Sequence, residues 1–301
     1  AWEFLGQARA ALNEAAAGLD PATLDQALQL MYIAEGSDWF WWYGADQSSG
    51  ADDNFDRQFR SYLEQLYELL GVAVPDFVNV PVIPQRPQPA DREPADLLSV
   101  SADGLALPGE WDLAGYYAIN QSGLTGLYYG FDPENLYLRV DSEAEFSDEI
   151  VLGFYLSTPE PGPTNAYSRY GSGETLVGFG IEQLLEVGFD TGQPAASLYE
   201  ADGAGNWRPM SLSRPESIAS QDGVLEIIAP FAGFAPAARS GDHINFRLVV
   251  SENGRDIAVL PGAGPVLAAV PDLPIPNVFV ELADPANDDH GPGSYVYPKD
   301  A

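Results

Sequence analysis

The period of the hydrophobic pattern changes once along this chain, and a run of prolines marks the change. Up to Gly71 the apolar residues recur every three and four positions; beyond Pro94 they alternate. Between the two, residues 75–94 read PDFVNVPVIPQRPQPADREP, a density of proline that neither a helix interior nor a central strand accepts. The pattern predicts two segregated parts and an α+β fold class. We expect a three-helix subdomain over residues 1–74, a proline-rich interdomain linker over 75–95, a jelly-roll-like antiparallel β-sandwich over 96–273 and a tail over 274–301.

In the first part, Phe4 to Ala17 is rich in Ala, Leu and Glu. Asp20-Pro21 then supplies an N-cap followed by proline at the first helical position, opening a second helix through Leu24, Ala27, Leu28, Met31 and Tyr32. A third helix runs from about Asp52 to Leu70, with Phe55, Phe59, Tyr62, Leu63, Leu66, Tyr67 and Leu70 in one stripe and Gly71 as its C-terminal cap. In the second part, LYYGF and LYLRV flank the turn Asp132-Pro133-Glu134-Asn135. This is a hairpin with Leu136, Leu138 and Val140 on one face and Tyr137, Arg139 and Asp141 on the other. EIVLGFYLS, TLVGFGI, VLEIIAP and INFRLVVSE continue at short intervals, as the strands of a sandwich do. In the tail only NVFVEL reads as a strand.

Thirteen basic residues stand against 45 acidic ones, a formal net charge of -32. A surface of that sign repels phosphate backbones and anionic headgroups, so nucleic acid is not a partner we expect. No run of apolar residues is long enough for a membrane span. Cysteine is absent, which excludes disulfides and thiolate chemistry. The chain opens at Ala1 with neither an initiator Met nor a leader-like segment, and reads as a mature or excised piece.

Ala34 to Gly44 read AEGSDWFWWYG, placed at the end of the second helix and the turn after it. Three tryptophans, a phenylalanine and a tyrosine in so short a run exceed what a core takes up, because Trp and Tyr also bring polar N–H and O–H groups that need partners. Flat rings beside carboxylates suit sugars, whose C–H faces stack while their hydroxyls bond to acids. Glu35 and Asp38, three residues apart, resemble the acid pair of glycoside hydrolysis, which needs two carboxylates about 5 to 10 Å apart. The competing readings are a cap at Asp38 with a solvated Glu35, and a sugar subsite that does no chemistry; we take the last. Tyr116, Tyr117, Tyr128, Tyr129, Trp111 and Trp207 offer a second platform on the sandwich, against the alternative that they pack its core. Asp284, Asn287, Asp288, Asp289 and Asp300 around a Gly-Pro-Gly turn make the densest set of hard oxygen ligands. They suit calcium, with Asp284, Asp288 and Asp289 as its carboxylates, or are simply solvated. Two histidines are too few for a histidine-based zinc site, and no serine stands in a nucleophile motif.

Residues 34–71 resemble the helical region that follows the catalytic barrel in glycoside hydrolase family 57, the α-amylase, amylopullulanase and glucan-branching group. The resemblance implies that Ser37, Asp38 and Trp39 contribute to a substrate cleft, with Trp41, Trp42 and Glu35 beside them. Where relatives commonly read WYGDDH, this chain has Ala45 and Gln47 at two of the polar positions. GEWDLAGYY and YYGFDPENLYLRVD are similar to the β-sandwich of DOMON and family 9 carbohydrate-binding modules. The tail DPANDDHGPGSYVYP resembles the opening of a glucodextranase C-terminal-type module. Family 57 carries its catalytic Glu and Asp on barrel strands upstream, so the resemblance implies a chain without catalytic residues.

The expectation is therefore a non-catalytic portion of an extracellular or cell-surface α-glucan-active glycosidase of amylase or pullulanase type. Its partners would be α-glucan and an upstream catalytic barrel, with calcium the one cofactor suggested. The rival is a self-associating surface or filament protein built from glycosidase-derived domains. A third alternative, a DOMON-type haem binder, has little support because none of His243, Met31 and Met210 sits in a recognisable axial pair.

Overall fold

The computed structural model describes residues 1–43, 52–83, 86–159, 162–170, 175–210, 217–235 and 240–270. The tail from 271 onward, with NVFVEL, Asp284, Asn287, Asp288, Asp289 and Asp300, lies outside the described residues, as do Ala45 and Gln47.

The helical part holds α1 (Trp2–Ala15), α2 (Pro21–Ala34), α3 (Ser37–Trp42) and α4 (Asp52–Leu70). Asp20 caps α2 as its side chain predicts, accepting from the N–H groups of Ala22 and Thr23 at 3.0 and 3.1 Å. The apolar stripe of α4 is the floor of this part: Phe59, Leu63 and Leu66 are fully buried against Leu5, Ala8 and Leu12 of α1 and Ala27 and Met31 of α2. The aromatic motif departs from its expected place in a turn. Gly36 leaves the helical conformation, with φ -55° and ψ 134°, and residues 37–42 restart as a helix of their own.

The second part is built on two antiparallel sheets. Their strands are β1 (Gly115–Gln121), β2 (Leu124–Phe131), β3 (Asn135–Ser142), β4 (Ile150–Ser157), β5 (Asn165–Tyr167), β6 (Leu176–Ile181), β7 (Gln183–Asp190), β8 (Gln193–Ala201), β9 (Trp207–Pro209), β10 (Ser217–Gln221), β11 (Val224–Pro230), β12 (His243–Glu252), β13 (Arg255–Leu260) and β14 (Val266–Ala269). One sheet runs β1-β2-β3-β11-β10; the other runs β13-β12-β4-β7-β8-β9 with β14 also on β12; β5 and β6 pair separately. A short helix α5 (Phe231–Phe234) follows β11. Alternation delivers Leu136, Leu138 and Val140 to the core between the sheets, where they meet Leu152, Phe154, Leu185, Phe246 and Leu248. The hairpin turn closes on Asp132, whose Oδ1 accepts from Glu134 N and Asn135 N at 2.7 and 2.6 Å.

The outer face of the first sheet is roofed by residues 96–114. Leu98, Val100, Trp111 and Ala114 pack on Tyr137 and Ile228. The roof is pinned by Glu226 on β11, a wholly buried carboxylate that accepts from Trp111 Nε1 at 2.8 Å and from the N–H groups of Asp103 and Gly104 at 3.1 and 3.0 Å. Three donors offset the cost of removing that charge from water.

The proline-rich stretch is anchored at both ends. Val78 is buried under α4, and Arg60 donates through Nη1 to the carbonyls of Val78 and Asn79, both at 3.2 Å. Further on, Tyr116 N donates to Arg92 O at 2.7 Å and Ala118 N to Asp91 Oδ2 at 2.7 Å, so the segment covers the free edge of β1. The stretch also reaches the sandwich at its start: Ala166 N on β5 donates to Asp76 Oδ2 at 2.7 Å.

Glu182, at the bend between β6 and β7, accepts from Thr158 N at 3.1 Å, and burial pushes its carboxyl up to about 7. Between the ordinary carboxylate range and pH 7 the unfolded chain releases this proton while the folded chain keeps it. Stability therefore falls as pH rises through that window and levels off above it. Glu182→Gln removes the slope. Its stability relative to the parent should rise from pH 4 to pH 8 by up to roughly 3 kcal/mol, read from urea unfolding at each pH.

Candidate functional site

The aromatic motif separates into supporting and exposed rings. Gly36 permits the sharp turn into α3: a side chain there would put its Cβ 3.1 Å from Ile33 O and 3.5 Å from Trp39 Nε1. Trp39 turns inward, its Nε1 donating to Ile33 O at 2.7 Å and its ring packed on Phe55, Phe59 and Tyr62 at centroid distances of 4.7, 6.0 and 6.0 Å. With 9% exposure it is a core residue, whereas the sequence pattern puts it among the rings that stack on sugar. Tyr43 likewise turns inward, its hydroxyl 3.4 Å from Asp56 Oδ1 and pushed upward chiefly by burial.

Trp41 is the outward ring, 62% exposed, and Trp42 is half-buried with its ring edge-on to Phe55 at 6.2 Å. A further ring joins them that the sequence reading left out. Trp2 lies flat on Phe40, with centroids 4.0 Å apart and planes 20° from parallel, and is 73% exposed. Tyr32 on α2 is 60% exposed. Among the described residues the exposed large aromatics are Trp2, Tyr32 and Trp41, all on the helical part. No local pattern announces Trp2, because its partner Phe40 is nearly forty residues away.

Ser37 and Asp38 are exposed on the first turn of α3. Glu35 pairs with Arg9 and so ties the end of α2 to α1. Glu35 is thus engaged by Arg9 while Asp38 stands in solvent.

The sandwich does not present the aromatic platform considered for it. Trp111, Tyr117 and Tyr129 are buried. Tyr116 and Tyr128 are half-buried and stack with arginines: Arg139 lies 4.6 Å from the Tyr128 centroid and Arg92 5.9 Å from that of Tyr116. Trp207 is half-buried against Tyr155 at 5.7 Å. Among the described residues no group of three or more His, Cys, Asp or Glu side chains is placed to hold a metal ion, and Asp284, Asp288 and Asp289 lie outside them. No helix among them is long and apolar enough to cross a membrane.

Residues 279–301 match the family model described as the C-terminal binding module, SLH-like, of glucodextranase. No curated protein matches the chain at a significant level, and no solved structure does.

The two classes of ring predict opposite phenotypes. Trp39→Ala should cost about 3–5 kcal/mol of stability by emptying a core position. Trp41→Ala should change stability by less than about 0.5 kcal/mol. Urea unfolding of both variants checks the division.

Proposed function

We propose that this chain is a non-catalytic, carbohydrate-binding portion of a glycosidase-type protein. Its glucan-contacting surface is formed by Trp2, Trp41 and Trp42 with Ser37 and Asp38 at their side, and Glu35 lies behind them in its pair with Arg9. The observation that carries this reading is the placement of exposed aromatic rings on one helical subdomain beside free hydroxyl and carboxylate groups. The rings supply the apolar faces that C–H-rich sugar surfaces need, and Ser37 and Asp38 supply hydrogen bonds to hydroxyls.

The tail supports the same direction, since the model it matches describes a binding module of a glucodextranase. The SLH-like description favours work at the cell surface or outside the cell. The finer assignment, an α-glucan ligand in the manner of family 57 amylases and amylopullulanases, rests on the SDWFWWYG motif and its helical setting. The sandwich would then be a DOMON or family 9-like module, and calcium, if bound, would belong to Asp284, Asp288 and Asp289. The catalytic carboxylates of such a protein would be supplied by an upstream barrel, so this chain should hydrolyse nothing alone.

Affinity electrophoresis through gels containing amylose, pullulan, glycogen or cellulose tests the proposal. Retardation is expected in the α-glucans and not in cellulose. Trp41→Ala and Trp2→Ala should each weaken binding by about tenfold, equivalent to about 1.4 kcal/mol. Unretarded migration of the parent chain in every gel would sink the reading.

A further inference from the structure

The outer face of the second sheet holds a charged and aromatic wall beside a strip of floor without bulky side chains. Cross-strand register puts Tyr155, Leu184 and Tyr199 in one row, Gly153, Glu186 and Ser197 in the next, and Val151, Gly188 and Ala195 in the third. These rows face outward, because the alternate residues Leu152, Phe154, Leu185, Val187 and Leu198 fill the core. Arg169 rises over them. Its N–H donates to Tyr155 Oη at 2.8 Å, its guanidinium lies 4.2 Å from the Tyr199 ring centroid, and its Nη1 reaches both oxygens of Glu186 at 2.7 and 2.8 Å. The guanidinium is held in place and still a third exposed. Next to this wall the floor is low: a Cβ on Gly188 would meet no atom within 4 Å, and Ala195 and Ser197 are exposed.

Such an arrangement has a definite ligand chemistry. The Glu186 contacts use Nη1, so the Nε–Nη2 edge of the Arg169 fork has no acceptor among the described residues, while Glu186, 9% exposed and also bonded to the Tyr170 hydroxyl, keeps a remaining lone pair toward the shelf. A donor edge beside an acceptor edge complements two adjacent hydroxyls, one accepting from Arg169 and its neighbour donating to Glu186. The pair is neutral overall, and it stands on a protein of net charge -32 that repels polyanions. A polysaccharide without charges meets no such barrier.

We propose that this shelf is a second carbohydrate subsite, which reads a vicinal diol of a neutral hexose chain lying across Gly188, Ala195 and Ser197. The proposal rests on the carbohydrate-binding reading of the preceding section and adds a location on the sandwich that the exposed tryptophans do not share.

Titration of the isotope-labelled 301-residue chain with maltoheptaose, followed through backbone amide resonances, tests it. Shifts are expected at Glu186, Gly188, Ala195 and Ser197 as well as around α3. Ser197→Arg, which fills the exposed floor directly opposite Glu186 and competes for that carboxylate, should remove the shifts on β7 and β8, leave those around α3, and weaken overall binding at least threefold. Arg169→Lys keeps the charge but loses the planar fork, and should remove the same shifts. Shifts confined to the helical part, or β7 and β8 shifts that survive Ser197→Arg, would overturn the shelf and leave the first reading standing. An absence of shifts anywhere would overturn the carbohydrate reading itself.

Discussion

Asp56 is the group on which the placement of the aromatic surface depends. It is a buried carboxylate on α4, 2% exposed, paired with Arg60 Nε at 2.8 Å; its Oδ1 also accepts from Val82 N at 2.8 Å and lies 3.4 Å from the Tyr43 hydroxyl. Three segments therefore converge on one charge: the end of α3, the middle of α4 and the start of the proline-rich stretch. A buried charge is expensive unless every lone pair finds a donor, and breaking such a pair from one side costs far more than the pair contributes. Arg60 extends the network to the carbonyls of Val78 and Asn79, and Asp76 in the same short segment reaches β5 through Ala166 N. The exposed rings are thus held relative to the sandwich by a continuous chain of charged and backbone hydrogen bonds, not by hydrophobic contact alone.

The sandwich meets the opposite problem, since each of its sheets has an outer face that its own strands cannot bury. The first sheet carries Tyr137 and Ile228 outward, and the chain returns residues 96–114 over them under the hold of Glu226. The second sheet covers part of its outer face with β5, β6 and the loop bearing Arg169, where Tyr155, Val177, Ile181 and Leu184 are buried. It leaves the rows around Gly188 and Ala195 bare. One carboxylate on each face organises the cover, but Glu226 is enclosed by neutral N–H donors whereas Glu186 faces a partly exposed guanidinium. That difference separates an enclosed pin from an ion pair whose guanidinium still meets solvent.

Much of the architecture could be read without coordinates because it rests on local rules. The change of period at the prolines, the Asp20-Pro21 cap and the inward set Leu136, Leu138 and Val140 each depend on neighbours within a turn or a hairpin. What could not be read depends on contacts distant in sequence. Trp39 and Trp41 are chemically identical and two positions apart; only the arrival of Phe55, Phe59 and Tyr62 from α4 buries one and leaves the other in solvent. Likewise Glu35 looks free for chemistry until α1 brings Arg9 to it, and Trp2 looks like an ordinary helix start until it lies on Phe40. The proline stretch reads as a free linker because composition does not reveal that its backbone groups have partners on both sides.

The uneven use of charge gives these observations a common consequence. Arg9, Arg60, Arg139 and Arg169 each pair with a carboxylate, while Arg92 donates to the carbonyls of Trp111 and Ala114 and Arg247 to those of Val177, Pro261 and Gly262. Nearly half of the 13 basic residues thus serve internal structure, and the field felt by an approaching molecule is set by the remaining excess of acid. At physiological ionic strength that field decays over about 8 Å, which still lets it exclude a polyanion that must lie on the surface along its length. A neutral polymer is not excluded. It can be held by ring faces and hydrogen bonds whose strength does not depend on net charge, and those are the groups that α3, Trp2 and the shelf on the second sheet present.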